Sequence, residues 1–181
     1  RGHDAWSCDL EPSELSPFSD YHFVGDIRDM LSEGWDLMIA HPPCTYLTNS
    51  GVCHLHKDET RWKLLDEGAA FFKRLLEAPI AKKAIENPIM HKHALAIVGA
   101  RHTQIIQPWQ FGHGETKATC LWLKGLPKLL ATNVVEGREA RVHRMPPSPD
   151  RWKERSRTYQ GIADAMAEQW GCVLALAGAQ R

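Results

Sequence analysis

The sequence predicts an α/β fold in which a mostly parallel sheet carries helices on both faces and ends in an antiparallel hairpin. Short apolar runs of strand length alternate with helical segments along most of the 181 residues. Apolar residues recur at helical spacing between residues 59 and 77. Two final strand-like runs are joined only by turn-forming residues, which favours an antiparallel pair.

The individual elements follow from the same patterns, within one domain spanning residues 1–181. The predicted strands are residues 5–8, 21–24, 37–40, 81–85, 103–107 and 118–123. The predicted helices are residues 27–31, 59–77, 93–98 and 158–176. Asp58 can cap the predicted helix 59–77, and Pro79 ends that helix. Residues 124–157 are predicted to be irregular.

Composition limits the class of protein. The apolar fraction, 43%, and the charged fraction, 24%, are typical of a soluble protein, and no apolar stretch has the length of a membrane span. Five cysteines without framework spacing favour a reducing compartment, which we take to be the cytoplasm. The net charge of zero excludes a global attraction for polyanions.

The distribution of charge is less even than its sum. Residues 124–157 carry nine Lys and Arg against four Asp and Glu, a local excess of five. Such a segment is a candidate phosphate-contacting surface. A solvated loop with scattered charges is an equally open interpretation.

Cys44 follows a predicted buried strand, residues 37–40, and the two prolines that end it. Open α/β sheets bind ligands at the carboxyl ends of their parallel strands. A thiol on a proline-stiffened loop at this edge is placed to act as a nucleophile. For a cysteine considered alone, a small apolar loop residue is the simpler interpretation.

Glu86, in the run Glu86-Asn87-Pro88, ends the next predicted strand. A carboxyl at the end of a buried strand needs a partner or a function, because burial without one is costly. Neighbouring parallel strands end at one edge, so we expect the Cys44 thiol and the Glu86 carboxyl to face one cleft. A nucleophile beside an acid that can protonate a ring nitrogen is a specific combination.

Two further carboxylates end predicted strands. Asp9 lies where an acid commonly accepts the two hydroxyls of an adenosine ribose. Asp26 is placed either to accept a hydrogen bond from an adenine amino group or to cap the helix that begins at Ile27. Both interpretations of Asp26 remain open.

A metal site around Cys44 is a weaker hypothesis. The segment is crowded with potential ligands, namely His41, Cys44, Cys53, His54 and His56. Their spacing matches no common zinc pattern, so we expect no metal.

The run Pro42-Pro43-Cys44, followed about forty residues later by Glu86-Asn87-Pro88, resembles the DNA cytosine C5-methyltransferase family. Residues 111–119 resemble that family's Phe-Gly-x-Pro-Gln-x-Arg-x-Arg segment, with Lys117 on its first arginine and Thr119 in place of the second. Residues 157–163 loosely resemble its last motif. The likeness is closer still to short phage-encoded members without a large target-recognition insert, and it extends from residue 2 to about residue 170.

The resemblance implies a Rossmann-like class I methyltransferase fold, S-adenosylmethionine as cofactor and DNA as partner. Cys44 would add to cytosine C6, Glu86 would act as the acid at N3, and Lys117 would contact the base O2 or a phosphate. The residues implied to lie against the base are Pro43, Asn87, Pro88 and Thr119. Those implied to lie against the cofactor are Asp9, Asp26, Ile27 and Pro42. The cytosine would be flipped from a duplex or taken from a single strand, in the host cytoplasm if the protein is phage-encoded.

The family's first, central strand and its glycine-containing cofactor loop have no counterpart before Arg1. We therefore expect that an N-terminal segment has been lost or omitted. Two alternative functions stay open. One is a methyltransferase-like protein without catalysis that binds nucleic acid or a partner protein, and the other is an enzyme that modifies free pyrimidine nucleotides.

Overall fold

A computed structural model describes residues 2–14, 20–49, 55, 58–149 and 151–178, with the side chains of residues 152 and 173–178 left out. The strands are β1 (Ser7–Asp9), β2 (His22–Val24), β3 (Leu37–Ala40), β4 (Lys82–Asn87), β5 (Gln104–Ile106) and β6 (Thr119–Lys124). The helices are α1 (Thr60–Glu77), α2 (Lys92–Val98), α3 (Arg141–Arg144), α4 (Arg151–Ser156) and α5 (Gln160–Gly178). Two short 3-10 helices occupy Ile27–Asp29 and Pro108–Gln110.

The described strands form two sheets. β1 and β2 pair in parallel, and a separate four-stranded sheet has the order β3-β4-β6-β5. In that sheet β3 and β4 are parallel, whereas β6 runs antiparallel to both β4 and β5. The prediction of a final antiparallel pair is confirmed. The prediction of a mostly parallel sheet holds in part, because β6 inserts beside β4 and makes half of the described pairings antiparallel.

Helices cover both faces of the four-stranded sheet, as predicted. On one face, Phe72 of α1 packs in one cluster with Ile85 and Trp122 of the sheet, and side chains of α2 belong to the same cluster. On the other face α5 packs through Met166 and Trp170. Alternate residues of each strand serve the two faces, so Ile85 belongs to the first cluster and Ala84 to the second.

Lys83 lies fully buried on the α1 side of β4. Its ammonium donates to three carbonyls at the C-terminus of α1, with Nζ 2.7 Å from Leu76 O and 3.5 Å from Leu75 O, and it also reaches Ala78 O. These carbonyls lack partners within the helix, and the helix dipole places partial negative charge on them. Burial lowers the pKa of Lys83, and its contacts with the helix end offset the cost of burying the charge.

Two differences from the sequence-based expectation concern the surroundings of the strand ends. β4 continues through Asn87 because Glu86 and Asn87 still pair with Leu121 and Cys120 of β6. The segment expected to be irregular contains two short helices, α3 and α4. β3 has the predicted bounds.

No helix among the described residues is both long enough and apolar enough to cross a bilayer.

Candidate active site at the carboxyl ends of strands β3 and β4

The loop after β3 is fixed to the neighbouring strand. Asn87, at the end of β4, is buried and donates from Nδ2 to Pro42 O at 3.1 Å. Beyond the prolines, Leu47 N donates to Cys44 O at 3.0 Å and closes a turn, and Leu47 itself is buried. Cys44 is therefore held on a short turn with anchors on both sides, and its side chain is half-buried.

Glu86 lies in contact with His41. The parallel register pairs Ala40 with Ile85, so the next residues on the two strands, His41 and Glu86, stand side by side. His41 Nδ1 lies 3.1 Å from Glu86 Oε2. The imidazole is 47% exposed and the carboxyl only 16% exposed, so the histidine separates the carboxyl from solvent on this side.

Lys117 reaches the same edge from the loop before β6. Its backbone N–H donates to Gln107 Oε1 at 2.9 Å, and its ammonium donates to Arg157 O at 3.4 Å. The ammonium also lies 5.7 Å from the centre of the Tyr159 ring. Burial lowers the pKa of Lys117, while the nearby Glu86 and Cys44 raise it. These anchors hold a cation beside the thiol and the carboxyl.

The electrostatics of Cys44 involve a fourth side chain. Burial raises the pKa of the Cys44 thiol, and the positive charges of Arg155 and Lys117 oppose that rise. Arg155 is an exposed residue of α4, and α4 is tied to the N-terminal region by a Lys153–Glu14 ion pair of 3.4 Å. Two cations thus favour the thiolate that a cysteine nucleophile requires.

The turn that carries Lys117 is locked to the start of α5. Glu115 accepts hydrogen bonds from Tyr159 Oη and, at 2.7 Å, from Arg141 Nε. Burial and the bond to Glu115 raise the pKa of Tyr159 to about 12. Gly161 N donates to His113 Nε2, and a Cβ on Gly161 would lie 1.9 Å from Phe111 O. Only glycine permits this approach, which explains the glycine of the loosely matching last motif.

The residues implied to contact the base have different environments. Pro43 is exposed and Pro88 is half-buried, so both have surface at the edge. Asn87 is buried against Pro42, and its Oδ1 has no hydrogen-bond partner among the described residues. Thr119 is buried, and its hydroxyl donates to Lys117 O at 3.2 Å. Asn87 and Thr119 therefore support the Cys44 loop and Lys117 from beneath.

The residues implied to contact a cofactor are only partly available. Asp9 is exposed, and its Oδ1 accepts from Glu11 N at 3.1 Å, which leaves a carboxylate suited to a ribose diol. Asp26 caps the first 3-10 helix by accepting from Arg28 N, and the Arg28 guanidinium holds the pKa of Asp26 at about 2. Ile27 packs against the core.

Pro42 is buried, and its carbonyl is occupied by Asn87. Of the two interpretations of Asp26, the structure realises capping, because Asp26 accepts from Arg28 N at the start of the 3-10 helix. Of the four residues, Asp9 retains the clearest surface for a nucleoside.

The basic segment borders the site. A hollow of about 250 Å³ is lined by His113, Arg141, Glu154 and residues 157–160. It lies next to Lys117, because the Arg157 backbone carbonyl accepts a hydrogen bond from the Lys117 ammonium. Two of its cations have carboxylate partners. Arg141 pairs with Glu115, and Arg157 pairs with Glu154 at 3.5 Å.

The crowded histidine and cysteine segment is only partly described. Cys53, His54 and His56 lie outside the described residues. Within the described ranges, no group of three His, Cys, Asp or Glu side chains is arranged to hold a metal ion. The described cysteines Cys8, Cys44, Cys120 and Cys172 are free thiols.

Sequence reasoning placed Cys44, Glu86 and Lys117 together and missed two neighbours. Arg155 was counted only as part of the basic segment, because residues 124–157 show no helical period and nothing indicated which of their cations lies near Cys44. His41 was weighed only as a metal ligand. The available signal was its position, one residue after a predicted strand, since Glu86 likewise stands one residue after the next predicted strand.

No family model matches the chain, and no curated protein matches it at a significant level.

Proposed function

We propose that the protein methylates cytosine at C5, using Cys44 as nucleophile and Glu86 as acid, with S-adenosylmethionine as methyl donor and DNA as substrate. The observation that carries the proposal is the meeting of three groups from separate segments at one sheet edge. Glu86 and Cys44 both interact electrostatically with Lys117. A thiol, an acid and an anchored cation are what addition to a pyrimidine ring requires.

The arrangement of the strands supports the same proposal. Helices on both faces and a β6 strand inserted antiparallel between β4 and β5 are compatible with the Rossmann-like class I methyltransferase fold. The β1–β2 sheet is separate from the β3-β4-β6-β5 sheet in the described part of the chain.

Each side chain has a distinct chemical task. Cytosine C6 accepts a nucleophile only when N3 is protonated or strongly hydrogen-bonded, and Glu86 supplies that interaction. Cys44 then adds to C6, helped by the cations of Lys117 and Arg155. Bound S-adenosylmethionine supplies the methyl group that C5 acquires. Loss of the C5 proton and departure of Cys44 restore the ring.

The arginines near Cys44 and Lys117 support DNA as the substrate. Arg155 lies near enough to Cys44 to act on its charge, and Arg141 and Arg157 line the hollow beside Lys117. Exposed arginines beside the three reactive groups are suited to the phosphates that flank a flipped or single-stranded cytosine. Binding should then weaken steeply with added salt, which a free-nucleotide enzyme would not show.

The direct test is covalent trapping on DNA that contains 5-fluorocytosine, in the presence of S-adenosylmethionine. Fluorine at C5 prevents the final elimination, so the Cys44–C6 bond should survive on a denaturing gel. We expect an adduct from the wild type, none from Cys44→Ser, and an unchanged amount from the control Cys172→Ser, which removes an exposed thiol of α5.

The absence of any wild-type adduct would refute the catalytic proposal. Retained salt-dependent DNA binding in that case would favour the non-catalytic nucleic-acid-binding alternative.

A further inference from the structure

His41 and Glu86 form a contact that strand register enforces. They follow the paired residues Ala40 and Ile85 on parallel strands, and their facing atoms are 3.1 Å apart. The residue before a proline is restricted to extended backbone, so Pro42 also stiffens His41. The imidazole therefore stays beside the carboxyl without a mobile loop to carry it away.

The proposed reaction imposes a proton requirement on this contact. Glu86 must carry a proton when it faces N3, while Cys44 must have lost its own. Among the described residues, no hydrogen bond joins Cys44 Sγ to the Glu86 carboxyl, so the thiol is not in place to hand its proton over directly. The group that does touch Glu86 is His41, and 47% of its side chain is open to solvent.

We infer that His41 delivers to Glu86 the proton that the carboxyl presents to cytosine N3, and that it draws this proton from solvent. The inference rests on the proposed function and makes His41 a positioning residue, because it acts through Glu86. Histidine is the side chain suited to such exchange near neutral pH.

The proton and electron changes balance. Nδ1–H of the imidazolium passes its proton to Glu86 Oε2, and the carboxylic acid gives a proton to N3. The Cys44 thiolate forms the S–C6 bond while the ring π electrons shift toward N3, which accepts that proton. The pair that returns from N3 to C5 would form the bond to the methyl group, and the pair of the broken S–CH3 bond would stay with the donor's sulfur. When the C5 proton leaves, the C5–H pair forms the C5–C6 double bond and the S–C6 pair returns to the sulfur of Cys44. The N3 proton then returns through Glu86 to His41, and the C5 proton is released to solvent.

Other charged groups face this pair. Lys117 faces Glu86 from the loop before β6, and Cys44 faces it from the loop after β3. Arg155 of α4 faces Cys44 and Lys117. Opposite Glu86 on β6 stands the apolar Leu121. A pH effect that belongs to His41 must therefore be separated from effects of Cys44 and Lys117.

The test compares the pH dependence of single-turnover methylation in the wild type, His41→Asn and His41→Ala. Asparagine keeps a donor near the position of Nδ1 but cannot transfer a proton. We expect its rate at pH 7.5 to fall about 100-fold, the magnitude of a lost acid–base group, with KM nearly unchanged. The limb on which the wild-type rate falls with rising pH should move to lower pH.

Two further measurements separate proton transfer from packing. Added imidazole should restore part of the His41→Ala rate, which a structural defect would not allow. His102→Asn is the control, because His102 contacts Trp122 on the α1 side of the sheet, and it should keep the wild-type profile.

A wild-type pH profile in His41→Asn, together with a normal 5-fluorocytosine adduct, would overturn this inference and leave the proposed function standing. Failure of the wild type to form the adduct would refute the proposed function and this inference with it.

Discussion

Lys83 and Glu86 stand three residues apart on β4, and the sheet turns them to opposite faces. Lys83 faces α1, is fully buried, and has its ammonium surrounded by helix carbonyls. Glu86 faces the other side, stays 16% exposed, and has a half-exposed histidine as its contact. The Lys83 ammonium donates hydrogen bonds to the last carbonyls of α1, whereas the Glu86 carboxyl can still accept further hydrogen bonds at the end of β4.

The comparison of Lys83 with Glu86 shows how a charged residue that stabilises this fold differs from one that is available to bind a ligand. Lys83 is satisfied by backbone groups that do not change, so its contribution is to stability. The contact of Glu86 is a histidine side chain that is 47% exposed, and under the proposed function the contribution of Glu86 lies in what it can bind. The predictions that follow separate the two roles.

The largest expected effect is on turnover, in Glu86→Gln. The amide keeps the size of the side chain but cannot protonate N3, so we expect kcat to fall by about 10²–10⁴-fold with KM nearly unchanged. The free energy of unfolding should change by less than about 0.5 kcal/mol. Single-turnover methylation and urea unfolding check the two parts, and equal losses in rate and binding would make Glu86 a structural residue.

Lys83→Met should show the reverse pattern. The substitution leaves the α1 carbonyls unsatisfied in a buried site, so we expect a loss of about 3 kcal/mol in the free energy of unfolding. The rate per folded molecule should be unchanged. Lys82→Met is the matched control, since Lys82 is only half-buried, and it should cost less than about 0.5 kcal/mol. Comparable losses in both variants would show that the carbonyl contacts of Lys83 do not matter.

The smallest effect is expected from Arg155→Gln, which tests the cation that sequence reasoning missed. Loss of this charge should raise the pKa of the Cys44 thiol further, because Arg155 opposes the rise that burial causes. Alkylation of Cys44 by iodoacetamide, followed by peptide mass spectrometry, should therefore move to higher pH. Arg155→Lys should restore the wild-type profile, and Arg101→Gln, on the turn after α2, should not alter it. An unmoved profile in Arg155→Gln would remove Arg155 from the site.

The sequence was informative where one local pattern had one physical meaning. The apolar run of β3 ended by two prolines, the periodic α1 and the long last helix were all predictable. The expectation that Cys44 and Glu86 lie near each other agrees with the electrostatic effect of Glu86 on Cys44. Register was not predictable, because the strand pattern does not state which residues stand opposite each other. This is why His41 was not connected with Glu86.

The surroundings of Lys83 and Arg155 could not be predicted from the sequence, because they depend on tertiary contacts. Lys83 looks like a surface lysine until α1 folds back over it and presents its last carbonyls. Arg155 belongs to a short helix, α4, whose position depends on contacts with distant residues such as Glu14. Neither arrangement can be recognised from the helix or strand propensities of the neighbouring residues.

Cys44 and the three groups that act on its charge, Glu86, Lys117 and Arg155, are spread over more than a hundred positions of the chain. Contacts of such sequence separation form late, since the chain must close long loops before it gains them. A partly folded chain therefore carries Cys44 as an ordinary thiol, without Glu86, Lys117 and Arg155 near it. The rate at which Cys44 acquires its folded-state reactivity should report a late step of folding, in which α4 and the loop before β6 dock at the carboxyl ends of β3 and β4.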